Sequence, residues 1–211
     1  MTQDASQSEP KDWYTIAGNY APLAIVAILA LGGTGAAATG NLKLSGNTPR
    51  ITGPDDPIAV AIGHAEGTRT CDGGKTRAYG SHKDPGDRKS NRGTFSAAPR
   101  GNGISAGMTP EEADISYIGN LNRHMDKDQF TGDRLAVVNY YDLGVQAPAT
   151  LGDYVKNIKA GQPIVQARVN AFKRSDGSVD AAGFGHSLTR LTADQQRRFD
   201  RISQCLNGDK S

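Results

Sequence analysis

Glu66 closes an apolar helical run, and a glycine-rich loop carrying lysines and arginines follows it. A carboxyl at such a point can serve as a general acid if its surroundings keep it protonated near neutral pH. The run is Pro57-Ile58-Ala59-Val60-Ala61-Ile62-Gly63-His64-Ala65-Glu66, with Asp55 or Asp56 as N-cap candidates, Pro57 at the first helical position and Gly67 placed to stop the helix. Helical spacing stacks Glu66 over Ile62 and close to Ala59, so the carboxylate emerges at the rim of the apolar face. Partial desolvation raises a carboxyl pKa, and the negative end of the helix dipole acts in the same direction. By position alone Glu66 is an ordinary solvated residue, since glutamate is rarely buried. The case rests on what surrounds it.

Other chemistries find little support. Gly74-Lys75-Thr76 looks like the end of a phosphate-binding loop, but Arg69 stands where its first glycine belongs, and a helix precedes it where a strand is needed. Gly33-Thr34-Gly35-Ala36-Ala37-Ala38 matches a dinucleotide fingerprint, yet it runs on into loop chemistry instead of opening a helix. His64, His82, His124 and His186 are scattered, and Cys71 and Cys205 make no Cys-x-x-Cys pair, so no zinc site is expected. No calcium-loop spacing surrounds Asp84 or Asp87, and no Gly-x-Ser-x-Gly elbow is present. The expectation is an enzyme without cofactor or metal.

The elements that must position Glu66 are helical. Thr109-Pro110-Glu111-Glu112 is a capping box, followed by Ile115, Ile118, Leu121 and Met125 at helical spacing. A third helix is expected from Leu135 to Leu143, ended by Gly144. Leu151, Tyr154, Val155 and Ile158 mark a fourth, stopped at Gly161, and Pro163 opens a fifth with Val165, Val169 and Phe172 inward. Thr192-Ala193-Asp194-Gln195 reads as the capping box of a last helix with Phe199, Ile202 and Leu206 on its apolar face. Short strand-like pieces occur only at 78–80 and 93–96. The fold class is mainly α, a helical domain at 57–208 with a small loop or hairpin insertion after its first core helix.

Ahead of that domain lie a polar stretch at 1–12, an uncharged apolar segment at 13–42 and a linker at 43–56. The apolar segment is membrane-targeting material: a single span, an uncleaved signal anchor, or a signal peptide cut after Ala38. The net charge of +2 over 211 residues argues against a nucleic-acid binder. Charge is uneven, however. Arg69, Lys75, Arg77, Lys83, Arg88, Lys89, Arg92 and Arg100 crowd the loop after Glu66, where an anionic polymer would be attracted.

Ile62-Gly63-His64-Ala65-Glu66-Gly67-Thr68, with Asp72-Gly73-Gly74, Ala78-Tyr79, His82-Lys83-Asp84-Pro85-Gly86, Asn91 and Gly93-Thr94-Phe95-Ser96, resembles the lysozyme-like peptidoglycan hydrolases of bacteria and phages. The resemblance is densest over 57–96, and it departs at Cys71 and around Gly80-Ser81. It implies a catalytic glutamate that closes a helix and faces a small hairpin region, and Glu66 is the matching position. Glycoside cleavage also needs a carboxylate or other group that places water or stabilises an oxocarbenium-like state. Asp84 and Asp87 are the candidates, with Asp72 behind them, although Asp before Pro-Gly is also an ordinary turn former. Tyr79 and His82 could stack on or hydrogen-bond a sugar, and Asn91, Thr94 and Ser96 could line the groove.

The resulting expectation is an exported or membrane-anchored muramidase that acts on peptidoglycan or a related polysaccharide outside the cytoplasm, in the periplasm or cell envelope. The rival is a catalytically silent module of the same fold that binds wall glycan or serves as an anchored structural component. Export would place the only two cysteines, Cys71 and Cys205, in an oxidising compartment, so a disulfide between them is expected.

Overall fold

The computed structural model describes residues 49–83, 90–99, 103–180 and 182–208. The chain divides into two units, residues 1–40 and 41–211, and every described residue belongs to the second. The expected membrane segment therefore lies outside the described residues, as do Asp84 and Asp87. Among the described residues, no helix is long and apolar enough to cross a membrane.

The fold is mainly helical. Its α-helices are α1 (Pro57–Glu66), α2 (Arg77–Gly80), α3 (Pro110–Asp128), α4 (Arg134–Gln146), α5 (Leu151–Lys159), α6 (Ile164–Ala171) and α7 (Leu188–Asn207), with short 3-10 turns at Pro148–Thr150 and Ala182–Phe184. No strand forms among the described residues. The expected hairpin is reduced to isolated bridges, of which His82 with Asn91 and Arg92 with Ala97 frame the loop after α2.

Helix α1 is set by its caps. The Asp56 carboxylate accepts from the Ile58 amide at 2.8 Å, Pro57 occupies the first turn, and Gly67 ends the helix in the left-handed region at φ 80°. Ala59, Ala61, Ile62, Gly63 and Ala65 are all buried, so α1 is enclosed by other elements rather than lying on the surface. Small side chains permit that enclosure. A Cβ on Gly63 would stand 2.5 Å from Arg69 Cγ and 2.8 Å from Thr94 Cγ2, closer than any real contact.

Around α1 the core gathers Ile62, Leu121, Met125, Phe130, Val138, Tyr140, Tyr141, Leu143, Leu151 and Tyr154. Phe130 stacks on Tyr140 at 5.3 Å and meets Tyr154 edge-on at 5.9 Å. Helices α4 and α7 pack on α1, and α5 and α6 form a tight pair in which α6 packs on α7 and α5 on α4. The expected disulfide is present between Cys71, in the loop after α1, and Cys205, in the last turn of α7. It closes a loop with a sequence separation of 134, for which chain entropy gives about 5 kcal/mol.

Several sequence-based boundaries shift, each for a physical reason. Gly144 does not end α4, which runs on to Gln146: it is buried in the last turn, where a Cβ would press on Leu121 at 3.1 Å, so it serves close helix approach instead of termination. Helix α7 starts at Leu188 with Ser187 as its cap, which puts Thr192 and Gln195 inside the helix and turns Gln195 into the interior. Pro163 is the cap of α6 rather than its first residue. Ile115, expected inward, is 66% exposed, while Ile118, Leu121 and Met125 are buried as expected. The Thr109–Glu112 capping box forms with both of its hydrogen bonds.

Gly63→Ala tests the close packing of α1. Alanine improves helix propensity by roughly 1 kcal/mol, but the added methyl collides with the buried stem of Arg69, and overpacking costs about 1–3 kcal/mol. Urea denaturation of the variant should show net destabilisation, whereas equal or greater stability would show that α1 is less enclosed than described.

Candidate active site

Glu66 lies at the end of α1 with its side chain 16% exposed, and its Oε1 receives a hydrogen bond from Arg198 Nη2 of α7 at 2.5 Å. Arg198 is shared. Its Nη2 also reaches Asp142 Oδ1 of α4 at 2.6 Å, and its Nε reaches Oδ2 of the same carboxylate at 3.0 Å. Asp142 in turn receives Arg168 Nη2 of α6 at 2.6 Å, with both of those side chains wholly buried. Arg168 is satisfied further by Gln195 Oε1 at 2.6 Å, by Asn139 and by Gln146. Four helices thus meet at a row of alternating charges, Glu66, Arg198, Asp142 and Arg168, in which two negative groups balance two positive ones.

This arrangement sets the proton affinities. Burial pushes the Glu66 carboxyl above the ordinary carboxylate range; Arg198 pulls it back only in part, because Asp142 competes for the same guanidinium and opposes a charge on Glu66. Asp142 shows the opposite outcome. Despite complete burial, the two guanidinium groups that flank it hold its pKa below the usual range. Arg198 is raised by Asp142 and then Glu66 against the cost of its own burial. Arg201, one turn on from Arg197 and Arg198, donates to the Ala65 carbonyl at 3.2 Å and so helps cap the C-terminus of α1 beside Glu66.

The loop after α1 is anchored to the turn at 93–96. Thr68 donates to the Thr94 carbonyl at 2.5 Å, and buried Arg69 donates to Thr94 Oγ1 at 3.1 Å, Gly73 O at 2.7 Å, Pro54 O at 2.8 Å and Asp55 Oδ1 at 2.9 Å. Asp114 of α3 fixes the same turn by accepting from the Thr94 amide at 2.7 Å and its hydroxyl at 2.8 Å. Phe95 stacks on Tyr117 of α3 at 5.4 Å. The Tyr117 hydroxyl is pushed up to about 12, first by burial and then by the charge on Glu66.

The other expected site residues fall into distinct roles. Tyr79 is buried, its ring has Arg69 at 5.2 Å and Lys75 at 4.4 Å from its centroid, and its hydroxyl meets Asp114 and Glu111 at 3.1 and 3.2 Å. Thr94 is fully buried in the Arg69–Asp114 network. Both residues hold the loop in place and present no open face to a sugar. Asn91 is buried and pairs through its backbone with His82. The His82 ring places Nδ1 2.7 Å from the Ala78 carbonyl and Nε2 3.0 Å from the Ser96 hydroxyl. With Nδ1 protonated towards the carbonyl, the Nε2 lone pair accepts from Ser96. Ser96 itself sits at φ 49°, an uncommon backbone region for serine. Asp72 closes a turn by accepting from Thr70 at 2.5 Å and from the Gly74 amide.

The basic loop is also less open than its composition implies. Arg69 is buried, Lys75 pairs with Glu111 at 2.7 Å, and Arg92 donates to the carbonyls of Ala106 and Met108. Among the described members, Lys75, Arg77 and Lys83 are exposed. The partners of Glu66 escaped the sequence reading. The inward stripe of α7 is Leu191, Gln195, Arg198 and Ile202, and a glutamine and an arginine at core spacing were the available signal.

Comparisons of the chain with protein-family models, with curated proteins and with solved structures give no match.

Asp142→Asn removes the central negative charge between two buried guanidinium groups. Breaking a buried ion pair in this way costs about 3–5 kcal/mol, to be read from the urea midpoint at neutral pH. The pH dependence follows from the signs. The depressed Asp142 contributes stability above its unfolded pKa that disappears as pH falls through its lower folded value, while raised Glu66 contributes in the reverse sense, losing its share as pH rises. The wild type should therefore lose stability in acid more steeply than Asp142→Asn. Parallel profiles would show that Asp142 is not the group responsible.

Proposed function

We propose that this protein is a lysozyme-like peptidoglycan hydrolase, a muramidase that cleaves wall glycan strands with Glu66 as general acid. The observation that carries the reading is the state of one carboxyl: Glu66 is fixed by Arg198, retains a narrow exposed edge, and has its proton affinity raised by burial. An acid that must protonate a glycosidic oxygen needs a fixed position, and a proton affinity raised by burial is the direction that role requires. Its setting agrees with the reading, since Glu66 closes a helix and the adjoining turn at 93–96 is tied to the same loop through Thr68 and Thr94. The apolar segment at 13–42 and the Cys71–Cys205 disulfide suit a protein working outside the cytoplasm, anchored or secreted. Asp84 or Asp87 is the proposed partner carboxylate; Ser96 and His82 are the proposed polar groups on the substrate side.

A second reading rests on a specific observation. The Glu66–Arg198–Asp142 contacts would serve equally to lock α1, α4 and α7 together in a silent glycan-binding or anchored structural module. The two readings diverge on one substitution. Under the first, Glu66→Gln lowers release of muropeptides from purified wall by about a hundred- to ten-thousand-fold, while circular dichroism shows the fold retained. Wild-type activity should also fall as pH rises through the raised Glu66 pKa, because the acid loses its proton. A folded Glu66→Gln protein that cleaves wall at the wild-type rate removes the first reading, and wall binding without turnover by the wild type establishes the second.

A further inference from the structure

His64, in the last turn of α1, stands beside the disulfide. One of its ring nitrogens and the two sulfurs of Cys71 and Cys205 all lie within 4.8 Å of one another. Three elements supply these atoms: α1, the loop after it, and the last turn of α7. The imidazole is only loosely held, since its Nδ1 is 3.4 Å from the Arg69 carbonyl, long for a hydrogen bond. All three residues are partly buried, so the cluster is neither sealed in the core nor fully in solvent.

Two thiolates and one imidazole are the donor set of a soft, tetrahedral divalent-cation site, with the fourth position left to water. In such a site neighbouring donor atoms are roughly 3.5 Å apart, given metal distances of about 2.0 Å to nitrogen and 2.3 Å to sulfur. The cysteine Cα atoms are 5.0 Å apart and the three donor atoms already lie within 4.8 Å of one another, so parting of the two sulfurs after reduction would start the set close to that spacing.

We propose that His64, Cys71 and Cys205 form a redox-gated site for a zinc-like divalent cation, in which metal replaces the disulfide when the chain is in a reducing environment. A thiol reductant delivers two electrons and two protons to the sulfur–sulfur bond, which gives Cys71 and Cys205 as free thiols and leaves the reductant as its own disulfide. Binding of the cation then releases those two protons to solvent. Two thiolates and neutral imidazole balance the dication, so the site carries no net charge. The contact between the loop after α1 and the end of α7 is thereby kept in both redox states: by a covalent bond in one, by coordination in the other. This proposal stands independently of wall hydrolysis.

The test uses the full-length protein, reduced with a dithiol, desalted without oxygen, and titrated with cobalt(II) and then zinc(II). The expected result is one metal per chain, a thiolate-to-cobalt charge-transfer band with tetrahedral d–d bands, and their loss on addition of zinc. Oxidised wild type and Cys71→Ser should show no charge-transfer band, and His64→Ala should weaken binding by about tenfold or more. If the reduced chain unfolds without metal, refolding on zinc addition, followed by circular dichroism, supports the site equally. A reduced chain that stays folded without a charge-transfer band, one that stays unfolded with zinc, or His64→Ala binding cobalt as tightly and with the same spectrum as wild type would overturn the proposal.

Discussion

Arg198 is the constraint on which the rest of the structure depends. A guanidinium is effectively always charged, so its burial is tolerable only where carboxylates and carbonyls meet its fork of donors. Here it reaches both oxygens of Asp142 and one of Glu66. That demand fixes the rotation of α7, the register of α4 against it, and the end of α1. Arg168 completes the balance from α6, so the four helices are held at one point by charge neutrality as well as by apolar packing. A buried network of this kind contributes less to net stability than apolar residues of the same volume would. Its effect is geometric: it holds the Glu66 carboxyl in one place.

A second network supports the loop side. Arg69 is almost fully buried and uses its donors on Thr94, Gly73, Pro54 and Asp55, while Asp114 grips the Thr94 turn from α3. With no strand ladder among the described residues, these side-chain bonds do the work that a sheet would otherwise do. Gly63 belongs to the same design, because the absence of a Cβ there is what lets Arg69 and Thr94 approach α1. Tyr79, its ring facing Arg69 and Lys75 and its hydroxyl bonded to Asp114 and Glu111, ties α2 to α3 in the same way.

The helices were legible because their signals are local. Asp56, Pro57 and Gly67 bound α1, and Thr109 with Glu112 opens α3, each through contacts spanning a few residues. Boundaries moved where tertiary contacts outweighed those signals, as with Gly144 under Leu121 and with Gln195, whose place opposite Arg168 leaves no capping role. Glu66 stood out by its position at a helix end. Arg198, which is 132 residues away in sequence, did not, because nothing short of the folded chain places those two charges together. The loop residues form one group in the sequence, but burial divides them: Tyr79 and Thr94 face inward, and His82 and Ser96 are hydrogen-bonded to each other. Periodicity carries no such information in an irregular segment.

The disulfide spans a sequence separation of 134 and encloses α2 to α6 and nearly all of α7 in one covalent ring. A single proteolytic cut in any connection between Cys71 and Cys205 opens that ring without dividing the protein into two pieces. The exposed turn at 174–178 is one such connection. A nicked chain would still hold α1 and α7 in one molecule, with Glu66 and Arg198 on opposite sides of the break but joined through the disulfide. Resistance to the first cut is thus built into the topology of the chain, separately from how firmly its helices pack.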